Sequence, residues 1–202
     1  MPATAIESRP AMALQALQAY YDDVTGLPNQ LLFMDRLSHA LLGACRRGSG
    51  VAVFFIEVQP ATADPEGSDE PLDAQTGGAL LRAVGERLEN RLRPNDTLAR
   101  LAGGQFLLLL EDMHRPVDAS NVAERLVQAL QQPLAADRRM LSAQAAAGVS
   151  ARTQVDLQVQ ADELVLEAER ALRQAQRNGL PWALITGELI DTEVSPESPC
   201  VQ

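Results

Sequence analysis

The 202-residue chain contains no lysine; all 17 of its basic residues are arginine. That absence excludes Schiff-base catalysis and the phosphate-binding lysine of a P-loop. Aromatic residues make up only 3% of the chain, so a core must be built chiefly from Leu, Val and Ala. Two cysteines and two histidines give no disulfide framework and no zinc-ligand spacing. His39 and His114 stand alone, and Cys45 sits in a helical pattern, as a core residue would. No segment approaches the apolar length that spans a bilayer. The first residues, "MPATAIESRP", lack the basic and apolar regions of a signal peptide, so the chain reads as a soluble cytoplasmic protein with no sensor ahead of it. The formal net charge of -10 argues against a general nucleic-acid or anionic-membrane partner.

What is present is 46% hydrophobic residues in alternating helical and strand patterns, enough for one domain. Residues Ala11–Tyr21 read as a helix with Leu14, Leu17 and Tyr21 on one face. "DDVTGLPNQ" breaks that pattern, and Asn29 is placed to cap the next helix. That helix is expected to reach about Cys45 with Leu31, Leu32, Met34, Leu37, Leu41 and Leu42 as its apolar face. "VAVFFIEV" is a continuous β-rich run, the signature of a buried central strand. The stretch "QPATADPEGSDEPLDAQTGG" reads as a long acidic loop. Its acid spacing is not that of an EF-hand. "ALLRAVGERLENRL", "SNVAERLVQALQQPL" and "ADELVLEAERALRQAQRNG" are amphipathic helices. "RRMLSAQAAAGVSAR" has weak strand character, and "PWALITGEL" reads as a last edge strand. The tail from about residue 190 has the composition of a disordered segment.

The hairpin "LARLAGGQFLLLL", Leu98–Leu110, stands apart. Its small turn residues suit close approach of a ligand to the backbone. Yet Ala102, Gly103, Gly104 and Gln105 offer no acid, base or nucleophile.

Three segments together carry a family resemblance. "DDVTGLPNQLLFMDRL" resembles the DxLTGLPNR opening of GGDEF domains, the diguanylate cyclase family. "LARLAGGQFLLLLED" resembles the Gly-Gly-Asp/Glu-Glu-Phe hairpin, and "AERALRQAQRNG" the terminal helix. The resemblance runs from about Asp22 to Leu189, leaving residues 1–21 as a helical lead and 190–202 as a tail. It implies an α/β (α+β) fold: a five-stranded mixed sheet with a βαββαβ core flanked by helices, related to polymerase palm domains. The parent activity it implies is condensation of two GTP into cyclic di-GMP on two Mg²⁺ ions, in a dimer.

Carried over position by position, the resemblance implies that the chemistry is lost. Glu57 falls at the metal-binding Asp of the first strand. Ala102 and Gly103 fall at the two glycines, Gly104 at the second metal-binding acid, and Gln105 at the following Glu. A hairpin register shifted by one residue still supplies no carboxylate. Gly78 falls at a guanine-binding Asp, and Gln176 at a phosphate-binding Lys. Two hard cations need carboxylates to hold them, so neither a Mg²⁺ site nor cyclase activity is expected.

One ligand motif remains. "RPND", five residues before Ala102, resembles the RxxD signature of the family's inhibitory site, which binds cyclic di-GMP. Arg93 and Asp96 are its ends, and Arg125 in "VAERL" matches a further arginine. Arginine pairs with phosphate oxygens or guanine O6/N7 through two parallel bonds, and a carboxylate accepts from guanine N1–H and N2–H₂. Asp96 as a turn residue and Arg125 as a solvated helix charge remain open alternatives. The resemblance thus implies a catalytically inactive cyclic di-GMP effector. The alternative is a ligand-free module that binds an EAL-type phosphodiesterase, an active cyclase or a response regulator through the old dimer surface. GTP binding without turnover is a third reading.

Overall fold

The computed structural model describes residues 19–60, 73–137, 139–187 and, as backbone, 189–191. The proposed helix Ala11–Tyr21 falls largely outside the described residues, as do most of the acidic stretch and the tail.

Among the described residues there are four helices: α1 (Gln30–Arg47), α2 (Ala74–Glu89), α3 (Pro116–Gln131) and α4 (Ala161–Arg177). The strands are β1 (Gly50–Pro60), β2 (Thr97–Arg100), β3 (Gln105–Met113), β4 (Leu134–Ala136), β5 (Arg139–Leu141), β6 (Ala143–Arg152), β7 (Trp182–Thr186) and β8 (Leu189–Asp191). The main sheet runs β2-β3-β1-β6-β7-β8. Its first five strands form the expected mixed sheet: β1 is antiparallel to both β3 and β6, while β6 and β7 are parallel through α4. The short β8 adds a sixth strand antiparallel to β7, so "PWALITGEL" is not the edge. "RRMLSAQAAAGVSAR" divides into β5, which pairs with β4 in a small separate hairpin, and β6 in the main sheet.

β1 is central, and its alternate residues enter opposite cores. Ala52, Phe54, Ile56 and Val58 pack with Leu80, Val84 and Leu88 of α2 and Ala123, Leu126 and Leu130 of α3. Val51, Val53 and Phe55 pack with Phe33, Leu37 and Leu41 of α1 and Leu164, Ala168 and Leu172 of α4. Cys45 packs partly buried at the margin of that second core. Glycine is required where β6 passes under α4. A Cβ on Gly148 would stand 2.0 Å from the Ala168 carbonyl oxygen.

Two expectations are corrected. The buried face of α1 is Phe33, Leu37, Ala40, Leu41 and Ala44, while Leu31 and Leu42 are 58% and 53% exposed. Counting leucines placed the stripe by residue type, but burial follows phase: these five positions recur at helical spacing and Leu31 and Leu42 lie outside it. The acidic loop is also shorter than expected. β1 runs on to Pro60 and α2 starts at Ala74, because the Asp73 carboxylate accepts from the Gln75 and Thr76 amides and caps the helix. Asn29 caps α1 as expected, its side chain accepting from the Leu32 amide.

Candidate functional site

The β2–β3 hairpin turns at Ala102–Gln105, where the Gln105 amide donates to the Ala102 carbonyl. Gly103 has φ +56, a conformation that favours glycine. Gly104 is set by close approach. Its carbonyl accepts from the Val58 amide at 2.8 Å, and a Cβ there would lie 1.9 Å from the Val58 carbonyl oxygen. The smallness of this turn is therefore used by the protein's own central strand.

Glu57 lies directly across β1 from Gln105, so both occupy the α1/α4 side of the sheet. The Glu57 carboxylate accepts a hydrogen bond from the Gln176 side-chain amide at the end of α4. The structure thus brings Glu57, Gln105 and Gln176 together at one end of the sheet. Gly78 sits on α2, where an added Cβ would be 3.7 Å from Val24 Cγ1, within ordinary contact. This group offers one carboxylate and two neutral amides, and Gly104 has no room for a second acid. Among the described residues no three His, Cys, Asp or Glu side chains gather as metal ligands.

The RPND turn lies beyond α2, at the start of β2. Asp96 accepts from the Arg93 amide at 2.8 Å, and its own amide donates to the Arg93 carbonyl at 3.0 Å. It is therefore a turn residue, closing the loop on itself. Burial pushes its carboxyl above the ordinary value, opposed by the Arg93 and Glu111 amides and by the nearby Arg93 and Arg125 guanidinium charges. Both arginine side chains are exposed. Arg125 Nη2 donates to the Arg91 carbonyl at 3.1 Å, which pins it beside the turn. A shallow cleft of about 310 Å³ is lined by Glu89, Leu92, Arg93, Pro94, Asp96 and Leu98.

Two features escaped the sequence reading. Arg100 pairs with Asp22 and donates to the Gly103 carbonyl at 2.9 Å, tying the "DDVTG" turn to the hairpin tip. Its Nε alone has no partner. Burial works against the Asp22 charge, but hydrogen bonds from the Thr25 hydroxyl and amide and from Arg100 outweigh it and hold the carboxyl below the ordinary range. The Asp-x-x-Thr spacing of Asp22 and Thr25 was a readable signal for that turn, whereas the pairing across 78 positions was not. The other is a β-bulge. Glu111 and Asp112 of β3 together face Val51 of β1, with Asp112 at φ +53.

These elements define an α/β domain with a hairpin closing on the end of its central strand. Residues 19–180 match the model for the diguanylate cyclase GGDEF domain, and the chain belongs to this family. It is 33% identical over 156 residues to the bifunctional diguanylate cyclase/cyclic di-GMP phosphodiesterase MucR of Pseudomonas aeruginosa, covering 75% of this chain and 22% of MucR. The chain therefore spans under a quarter of that relative's length. The coiled coil and GGDEF domain of DgcB from Caulobacter crescentus, in complex with cyclic di-GMP, superimposes with TM-score 0.71 at 17% identity, over 90% of this chain and 92% of that one. Diguanylate cyclase SiaD of P. aeruginosa, in complex with its activator SiaC, gives TM-score 0.69 at 23% identity, over 90% and 66%. At these identities the two structures speak for the fold alone. No helix among the described residues is long and apolar enough to cross a membrane.

Proposed function

We propose that this GGDEF-domain signalling protein does not make cyclic di-GMP but binds it at the RPND turn, through Arg93, Asp96 and Arg125. The observation that carries the reading is the cleft that Arg93 and Asp96 line at this turn, with the Arg125 side chain docked beside it on the Arg91 carbonyl. Neither Arg93 nor Arg125 makes an ion pair within 4 Å among the described residues; Arg125 spends one donor on the Arg91 carbonyl, and the remaining donors are available to phosphate or guanine. The sheet end supports loss of catalysis. Its remaining carboxylate, Glu57, is held by an amide, and Gly104 has no space for the missing acid. DgcB, of the same fold, is described with cyclic di-GMP bound.

Calorimetric titration of nucleotide-free protein with cyclic di-GMP tests this reading. Saturable binding is expected, weakened roughly tenfold or more in Arg93→Ala, the loss of one charge-assisted contact. No heat in the parent protein would overturn it.

A second reading has its own observation. Leu31 and Leu42 are exposed on α1, and SiaD shares this fold and is described with a protein activator. A ligand-free module would use such a face on a phosphodiesterase, an active cyclase, a response regulator or a second copy of this chain.

A further inference from the structure

The RPND turn follows closely on α2, whose last residue is Glu89. Glu89 lines the same cleft as Arg93 and Asp96, and Leu92, Pro94 and Leu98 give that cleft apolar walls. Its two carboxylates are placed differently. Asp96 is partly buried, and its Oδ2 accepts from the Arg93 amide, so it is engaged in holding the turn. Glu89 is exposed, and its side chain makes no hydrogen bond or ion pair among the described residues. Arg93 stands four residues on in the same cleft, yet no ion pair within 4 Å joins the two.

No contact within the fold accounts for a carboxylate at this position. α2 ends here, and the negative end of the helix dipole disfavours an acid in the last turn. Arg87, the cation of that turn, donates to the Ala129, Gln132 and Pro133 carbonyls and not to Glu89. A residue that breaks a local rule without a structural gain marks a functional position. What Glu89 offers is two free acceptor oxygens on the rim of an apolar-walled cleft, beside an arginine.

We propose that Glu89 selects guanine in this cleft by accepting from its N1–H and N2–H₂ edge, an inference that rests on the cyclic di-GMP reading above. Guanine sets two adjacent donors against the two carboxylate oxygens. Adenine sets one donor beside the N1 acceptor, which a carboxylate repels. Leu92, Pro94 and Leu98 offer apolar surface to the face of a base, which leaves the Arg93 fork for a phosphate. Glu89 then determines specificity, while Asp96 positions Arg93 by holding the turn.

The test is calorimetric titration of the nucleotide-free full chain with cyclic di-GMP and with cyclic di-AMP, which share the phosphates and differ in the base. The readout is the ratio of the two affinities. The parent protein is expected to prefer cyclic di-GMP by roughly tenfold or more. Glu89→Gln should weaken cyclic di-GMP roughly tenfold and leave cyclic di-AMP no weaker, so that the ratio falls toward one. Because it removes a charge that the helix dipole opposes, this variant should not lower the melting temperature. Asp96→Asn should weaken both ligands alike and keep the ratio. Glu86→Gln, one turn earlier on α2 and exposed, should change neither affinity. Binding of neither dinucleotide by the parent protein would overturn the cyclic di-GMP reading and this inference with it. Cyclic di-GMP bound with a ratio that Glu89→Gln leaves intact, or that only Asp96→Asn abolishes, would overturn this inference alone.

Discussion

Single residues decide what this hairpin can do. Gly104 lies where the Val58 carbonyl leaves no room for a side chain. Writing the family's acids back as Gly104→Asp with Gln105→Glu is therefore expected to displace the turn, lower the melting temperature and yield no cyclic di-GMP from GTP. Product assay and thermal melting check this together, and a stable, active double variant would refute it. Asp22 and Arg100 are a second case. Both side chains are nearly buried, so Asp22→Ala strands a guanidinium and is expected to cost ~3–5 kcal/mol in urea unfolding. The folded Asp22 carboxyl lies below its ordinary value of 3.8. Its stabilisation is then complete above 3.8 and lost as pH falls through the folded value, so the gap between the parent and Asp22→Asn should close only in that acid range.

At the scale of elements, α1 separates pattern from phase. Phe33 is fully buried between the helix and the sheet, whereas Leu42 faces solvent. Phe33→Ala is expected to cost ~3–5 kcal/mol and Leu42→Ala about 0.5 or less, measured by denaturant melts. If Leu42 instead serves a partner, its loss will appear in pull-down and not in stability. Element existence was legible wherever a local rule acted alone. The unbroken apolar run became β1, and Asn29 capped α1. The division of "RRMLSAQAAAGVSAR" into two strands was not legible, because β5 and β6 are told apart by their partners and not by their composition. The β-bulge at Glu111–Asp112 was hidden for the same reason, since it exists only against Val51.

Across the whole molecule, the net charge of -10 opposes a ligand carrying two phosphates, while the arginines proposed to bind it at the RPND turn would attract it locally. Long-range repulsion is screened by salt before short-range contacts are. The association rate for cyclic di-GMP is therefore expected to rise from low to physiological ionic strength, a response that stopped-flow measurements read directly. A rate that falls would mean the local arginine field dominates the encounter.

Read from the chain alone, the family, the main helices, the central strand, the acid-free turn at Ala102–Gln105 and the candidates Arg93, Asp96 and Arg125 were legible. Each of these rests on residue identity and short spacing. Packing in three dimensions sets the Val58 carbonyl against Gly104, pairs Asp22 with Arg100, and separates β5 from β6. Each of these depends on distances between segments far apart in the chain, which close packing fixes and local pattern does not encode.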